Sequence, residues 1–439
     1  MNVADLRETV PSTLAPGDPG WDQARIFHSG IGEPDAVVRP ATVAEVQAAV
    51  RWAAAASIPV LVRSGGHGGW GEVPGGLTID LAELASVEVD GTLVRVGGGA
   101  AWGAVARELT THGLGLSSGD TATVGVGGLT LGGGMGWMVR AWGLAADQLE
   151  GAQVVTAAGE VVEVSEAAHP DLLWALRGGG GNFGAVTRFD FRAHDLPGIV
   201  FATLSIEGDT RAALRDMRDA LASAPRELTA TYMDVPPMDP NAPAGASITA
   251  CWIGTDVEAA RAALAPLIAS PGINETEIGV RVYPDILLDP PAFDPDQPMP
   301  GFVGGNILTA ELTDDIIDRL VDFHEAHPAS IVFLRSLGGA FSDVAPDATA
   351  FATRNASWIA MTGAFDIPGL LDDAERAATE AEWAEIDDLG DGVYGNFTTS
   401  LDGSWVPRIY PAPTLARLVE VKRTWDPANV FSRNFNVVP

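Results

Sequence analysis

The chain has 439 residues, 46% hydrophobic and 19% charged, which supplies a sizeable core and excludes a largely disordered chain. Lys and Arg number 26 against 58 Asp and Glu, and the resulting formal charge of −32 repels nucleic acid and anionic membrane surfaces. Cys251 is the sole cysteine, so neither an intrachain disulfide nor a cysteine zinc site can form.

The opening segment, MNVADLRETVPSTLAPGDPGW, has no basic region and no apolar run. No apolar stretch approaches the roughly 18 residues that a membrane helix needs. A soluble, cytoplasmic protein with no membrane or nucleic-acid partner is expected. Thr42 and Glu45 form a capping signature ahead of a helix, VAEVQAAVRWAAAA. The strand PVLVR (59–63) then runs into SGGHGGWG, and LTIDL (77–81) and LVRVGGG (93–99) read as further strands. A helix over 100–113 ends at Gly113. A long glycine-rich stretch, SSGDTATVGVGGLTLGGGMGW, follows. Residues 152–164 read as a hairpin, HPDLLWALRG as a helix with Pro170 in its first turn, and 185–193 as a strand.

Composition shifts near Leu196-Pro197, where the glycine clusters stop. Residues 211–224, 257–270 and 314–327 have the helical period, and SITACWIG, SIVFLRSLGG and SWIAMTGAFD read as strands. His324 and His327 share a helix at i, i+3, but no third ligand converges on them, so no metal site is expected. The chain closes with a loop, one helix and an Asp-Pro-Ala-Asn turn.

Glycine lets successive N–H groups point at one spot, and such nests bind anions without a cationic side chain. That suits a chain with one lysine, Lys422. There is no GK[ST] P-loop, and Gly125-Val-Gly127-Gly-Leu-Thr130 fails the dinucleotide fingerprint at its last position. Three glycine-rich segments beside strands (64–71, 119–136 and 178–184) point to a large phosphate-bearing cofactor. His67 lies inside the first, where a neutral imidazole is nucleophilic near pH 7.

Arg63-Ser64-Gly65-Gly66-His67, Thr123-Val124-Gly125-Val126-Gly127-Gly128, Gly132-Gly133-Gly134-Met135-Gly136, Gly143-Leu144-Ala145-Ala146-Asp147 and Arg177 through Gly184 stand in this order. Together they resemble the FAD-binding domain of the vanillyl-alcohol oxidase/p-cresol methylhydroxylase superfamily. Tyr394-Gly-Asn396-Phe397 and Trp425-Asp426-Pro427-Ala-Asn429-Val-Phe431 resemble its berberine-bridge-enzyme-like branch, which includes the 6-hydroxy-D-nicotine oxidase type. The resemblance covers about 34–197 and 392–439. It implies an α+β fold with a two-part FAD-binding domain (1–197, completed by 392–439) and an inserted antiparallel-sheet substrate domain (198–391).

The resemblance also implies FAD joined to the protein by one covalent bond, at His67. Thr121 stands where many relatives carry a second, cysteine link. Leu129 departs from the His or Asn often found there. The cofactor contacts implied are Arg63, Ser64, Gly65, Gly66, His67, Gly68, Gly71, Thr121, Thr123, Val124, Gly127, Gly128, Leu129, Gly132, Asp147, Asn182, Gly184, Asn396 and Asn434. Val124 matches a position where a small residue admits oxygen. Tyr394 matches a tyrosine facing the flavin; as a base it needs neighbours that lower its pKa. Asn396 and Tyr232 complete the catalytic candidates. The function implied is oxidation of a small alcohol, amine or secondary-metabolite intermediate, with hydride passing to the flavin and dioxygen returned as hydrogen peroxide. An oxygen-insensitive dehydrogenase and a flavin-scaffolded, non-redox cyclase or isomerase are the alternatives.

Overall fold

The computed structural model describes residues 3–28, 30–69, 73–236, 245–290, 300–367, 371–398 and 402–439. Its first sheet is small and parallel, in the order Ala36–Val38, Leu77–Asp80, Val60–Arg63. The helix Val43–Ala55 connects its first two strands in sequence; the Thr42 side chain accepts from the Glu45 N–H, and Glu45 reaches back to the Ala41 N–H at 2.7 Å. That reciprocal capping satisfies two donors a helix start otherwise leaves open.

A five-stranded antiparallel sheet follows, in the order Val87–Asp90, Leu93–Gly97, Ala185–Arg192, Leu149–Val155, Val161–Ser165. The hairpin expected at 152–164 is its last pair, turned by Gly159 at φ 72°. Trp102, Leu172, Phe183, Phe189 and Phe191 fill the core behind it.

The third sheet has seven strands, all antiparallel to their neighbours. Their order is Ile273–Arg281, Ile199–Ile206, Ser247–Ile253, Leu228–Asp234, Ser330–Ser336, Trp358–Asp366, Gly301–Thr309. The edge strand INETEIGVR was not legible as a strand, because an edge facing water needs no apolar run. Helices Thr210–Leu221, Val257–Ile268, Asp314–Ala326 and Asp373–Asp387 pack against this sheet, each with an Asp or Thr side chain capping its first turn.

Strand parity decides what each face meets. Tyr232, Leu334 and Ala360 belong to the core shared with the helices. Phe333, Ile359, Met233 and Met361 belong to a core shared with Met135, Val139, Leu144 and Tyr394. The sheet thus lays its second face on the glycine-rich half. Buried ion pairs cross that seam: Arg335 to Asp120 at 2.7 Å and Arg354 to Asp147 at 2.7 Å.

The C-terminal segment returns to the first half. Leu308 and Gly392 bridge, Tyr394 follows, and the helix Ala412–Trp425 leads into a tail. Val60 N–H donates to Val430 O at 2.8 Å, and Val437 N–H to Asn182 Oδ1 at 2.9 Å. Lys422 and Asp426 pair at 2.7 Å with both side chains fully buried. Lys422 Nζ also donates to the carbonyls of Asn182 and Phe431, and Asp426 accepts the N–H groups of Val430 and Phe431. The one lysine therefore ties the tail to the third glycine segment. Among the described residues, no helix is long and apolar enough to cross a membrane.

Candidate active site

The three glycine segments and the tail enclose a cavity of about 450 Å³. Gly65 and Gly125 form its tightest seam. A Cβ on Gly65 would stand 2.2 Å from Gly125 N, and one on Gly125 would stand 2.0 Å from Gly65 N. Only a pair of glycines lets these two backbones meet. Gly66 turns at φ 74°, a conformation that a side chain resists. A Cβ on Gly128 would meet nothing within 4 Å, and one on Gly181 only Asn434 Nδ2 at 3.9 Å. Both glycines line the cavity, so the missing side chains leave space beside exposed backbone.

Ser64, Gly65, Gly66, His67, Gly68, Thr121 and Val124 all line this cavity. So do Gly127, Gly128, Leu129, Gly132, Asn182, Gly184, Tyr394, Asn396 and Asn434. The 119–136 stretch is not all loop: Val126–Leu131 is a short helix, and Gly127 and Gly128 sit in its first turn.

Other candidates stand elsewhere. Arg63 lines the cavity, but its guanidinium is buried and turned away, donating to Asp80 Oδ2 at 2.7 Å, Ala24 O at 2.8 Å and Ile26 O at 3.1 Å. These bonds clamp residues 24–27. Thr123 does not line the cavity; its Oγ1 sits 3.0 Å from His67 Nε2. Asp147 caps Leu144 N–H and pairs with Arg354, so it holds the Gly143-to-Asp147 turn from behind. Gly71 lies outside the described residues.

Tyr232 is displaced from any catalytic position by strand parity. It is 1% exposed on the helix-covered face, its hydroxyl 3.4 Å from Asp234 Oδ2. Its neighbours Thr231 and Met233 face the other way. Ser330, His324 and Asp234 stand in the order of a hydrolytic triad, with Ser330 Oγ 2.8 Å from His324 Nδ1. Ser330 is fully buried, so no substrate reaches it. His327 pairs with Glu382, and among the described residues no His, Cys, Asp or Glu group could hold a metal.

Burial pushes His67 down to about 4, with the neighbouring His28 adding to the effect and a hydrogen bond donated to the Thr123 backbone opposing it. The imidazole is therefore neutral at pH 7. Tyr394 is 1% exposed; its hydroxyl oxygen accepts from Gly134 N–H at 3.2 Å and Asn396 Nδ2 at 3.0 Å. These donors favour a phenolate, yet burial outweighs them and holds the phenol above its ordinary value. The neighbours expected to lower it are present; the net direction is upward.

Two residues, one on the cavity lining and one stacked behind it, gave no signal in the sequence. Asp120 is its one carboxylate among the described residues, paired with Arg335, whose guanidinium also lies over the Trp137 ring at 4.7 Å. His28 stacks on His67, with ring centroids 4.0 Å apart and planes at 20°.

Residues 34–165 match the FAD binding domain family, and residues 391–437 the berberine and berberine-like family. An FAD-linked oxidoreductase of Aspergillus terreus is 31% identical, over 92% of this chain and 86% of its own length. The chain belongs to the berberine-bridge-enzyme-like FAD-linked oxidoreductases. The (R)-6-hydroxynicotine oxidase of Paenarthrobacter nicotinovorans is 28% identical over 97% of this chain and 96% of its own. The glucooligosaccharide oxidase of Acremonium strictum, described with a 6-S-cysteinyl, 8α-N1-histidyl FAD, superposes with a TM-score of 0.85 at 26% identity, covering 99% of each chain. This family member is thus an FAD enzyme acting on small molecules, with the two-part FAD-binding domain and antiparallel sheet of its relatives.

The residues present fit FAD. Glycines whose absent Cβ leaves backbone open line the cavity, and Asn434 Oδ1 is buried there without a partner. Among the described residues, the cationic side chains on the lining are Arg63, which pairs with Asp80, His67 when protonated, and Arg433, which donates to Pro74 O. A pyrophosphate would rest on backbone N–H groups.

Proposed function

We propose that this enzyme is an FAD-dependent oxidase of a small organic substrate, an alcohol, an amine or a secondary-metabolite intermediate, with dioxygen as the final acceptor and hydrogen peroxide as product. Bound FAD would supply the acceptor for a hydride and the route of two electrons to dioxygen. The observation that carries the reading is the cavity itself: a glycine cradle whose lining also holds a neutral histidine, Tyr394 and Asn396.

His67 is the covalent anchor in this reading. Its Nε2 is engaged by Thr123, which leaves Nδ1 as the nucleophile. Thr121 offers no thiol, and Cys251 is buried in the seven-stranded sheet, so the anchor is a single bond. Ser64 to Gly68 and 119–128 cradle the pyrophosphate through backbone N–H groups. Gly132, Asn182, Gly184, Asn396 and Asn434 shape the remaining walls. Tyr394, oriented by Asn396, takes the substrate's proton; Val124 borders the path for oxygen. The segments 1–197 and 392–439 act together as the cofactor-binding part, and 198–391 covers the substrate side.

A spectrum of the purified protein followed by a peroxide assay over alcohols, amines and oligosaccharides tests this. One peroxide per substrate oxidised supports the oxidase. Flavin reduction that persists in air points to a dehydrogenase, and turnover without flavin reduction to a non-redox role.

A further inference from the structure

His67 sits in a loop that cannot hold its own side chain. Gly65 and Gly66 precede it, and Gly68 and Gly69 follow. Its ring is fixed from outside the loop by two contacts. Thr123 Oγ1 meets one corner, at Nε2, 3.0 Å away. A single hydrogen bond at a corner still allows the ring to swing about that contact. The second contact removes the swing: the His28 ring lies flat against the His67 ring at 4.0 Å.

The support behind His28 is itself built. Arg63 holds the carbonyls of Ala24 and Ile26, and its guanidinium covers the Phe27 ring at 4.8 Å. His28 N–H donates to Gly66 O at 2.8 Å, so the two loops are also joined through backbone. His67 lines the cavity and His28 does not, so the stacked pair presents only the His67 ring to it. Burial holds both imidazoles below their ordinary values, so neither ring is charged at pH 7 and the stack carries no repulsion.

We propose that His28 is a positioning residue for covalent attachment, a flat aromatic stop that keeps the His67 Nδ1 lone pair aimed into the cavity. The proposal rests on the reading that His67 bears the flavin. In that step Nδ1 of His67 bonds to the flavin 8-methyl carbon, Nε2 gives up its proton toward Thr123, and the carbon loses one hydrogen as a proton. The electron pair released passes by way of the flavin to dioxygen, which takes both protons and becomes hydrogen peroxide. Orientation of a nucleophile in this way is worth about 10- to 100-fold in rate when lost.

The test uses the full chain made in a riboflavin-starved host and then mixed with FAD. Covalent flavin is followed as acid-precipitable absorbance, and non-covalent affinity as quenching of flavin fluorescence. His28→Ala attaches flavin about 10- to 100-fold more slowly, with affinity unchanged. His28→Phe, which can still stack, stays within about 3-fold of the original rate. In the apoprotein, the ring-current shift of the His67 ring protons is lost in His28→Ala and kept in His28→Phe. Attachment by His28→Ala at the original rate overturns the proposal, as does a Phe variant as slow as the Ala variant. If the unaltered chain binds FAD and never links it, or links it at another residue, the reading of His67 fails, and the proposal falls with it.

Discussion

At Gly65 and Gly125 two backbones approach so closely that neither position has room for a Cβ. Elsewhere, the seven-stranded sheet and the loop after it are joined to the glycine-rich half by side chains: Arg335 bridges Thr231 and Asp120, and Arg354 grips Asp147. The glycine seam is built from backbone and the seam with the sheet from side chains. Backbone that presents N–H groups suits an invariant ligand such as a pyrophosphate. Side chains, which can be exchanged without moving the chain, suit a substrate that differs among relatives named for nicotine and for oligosaccharides.

The contrast breaks first at the glycine seam. Gly125→Val puts a branched side chain where even a Cβ stands 2.0 Å from Gly65 N, so the purified variant carries no flavin absorbance. Gly128→Ala, whose Cβ meets nothing within 4 Å of the protein, folds normally, and its flavin content measures how closely the cofactor approaches there.

At the cavity lining, Tyr394→Phe keeps the ring and removes the hydroxyl. With the true substrate, flavin reduction slows by about 10²- to 10⁴-fold while FAD binding and reoxidation are unchanged. Burial raises the phenol above its ordinary value, so the reduction rate of the unaltered enzyme climbs as pH rises toward and beyond about 10, and the Phe variant loses that climb. A Phe variant that reduces its flavin at the original rate assigns the proton to another group; Asp120 is then the next to replace.

Lys422, like Arg63, is a side-chain tie within the glycine-rich half. Lys422→Met strands Asp426 in a fully buried site and costs about 3–5 kcal/mol, read as a fall in unfolding midpoint. Lys422→Met with Asp426→Asn costs less than the single change, because no charge is left buried.

The smallest effect is one of pH. The neutral imidazole is the nucleophile, and His67 is held down to about 4, with His28 and Thr123 as the groups facing it. Covalent attachment therefore proceeds undiminished as pH falls from 7 to 5.5, and drops only on approaching 4. An inflection at the ordinary histidine value, about 6.5, would mean the ring is not buried before attachment.

Much of this was legible in the sequence, and unevenly. Glycine clusters announce themselves, because no other residue does their work at Gly65 or Gly66. Thr42 with Glu45, Gly113 and Pro170 marked helix ends by the same local rules. Tyr232 was misplaced because a strand's register decides which face a residue takes, and register depends on pairing with a distant strand; here Tyr232 pairs with Leu334. Arg63 lines the cavity beside its motif, but its partner Asp80, 17 residues away, left no local signal. His28 and Asp120 left no signal, since their roles come only from loops that meet in space.

In the proposed enzyme the flavin is held by one bond, at His67. Acid precipitation of the purified enzyme, followed by proteolysis and mass measurement, tests it most directly. The yellow colour stays with the pellet, and the peptide containing His67 carries one flavin mass. His67→Ala binds FAD and releases all of it to the supernatant on acidification. Flavin released by acid from the unaltered enzyme, or found on any other peptide, would show that His67 is not the anchor.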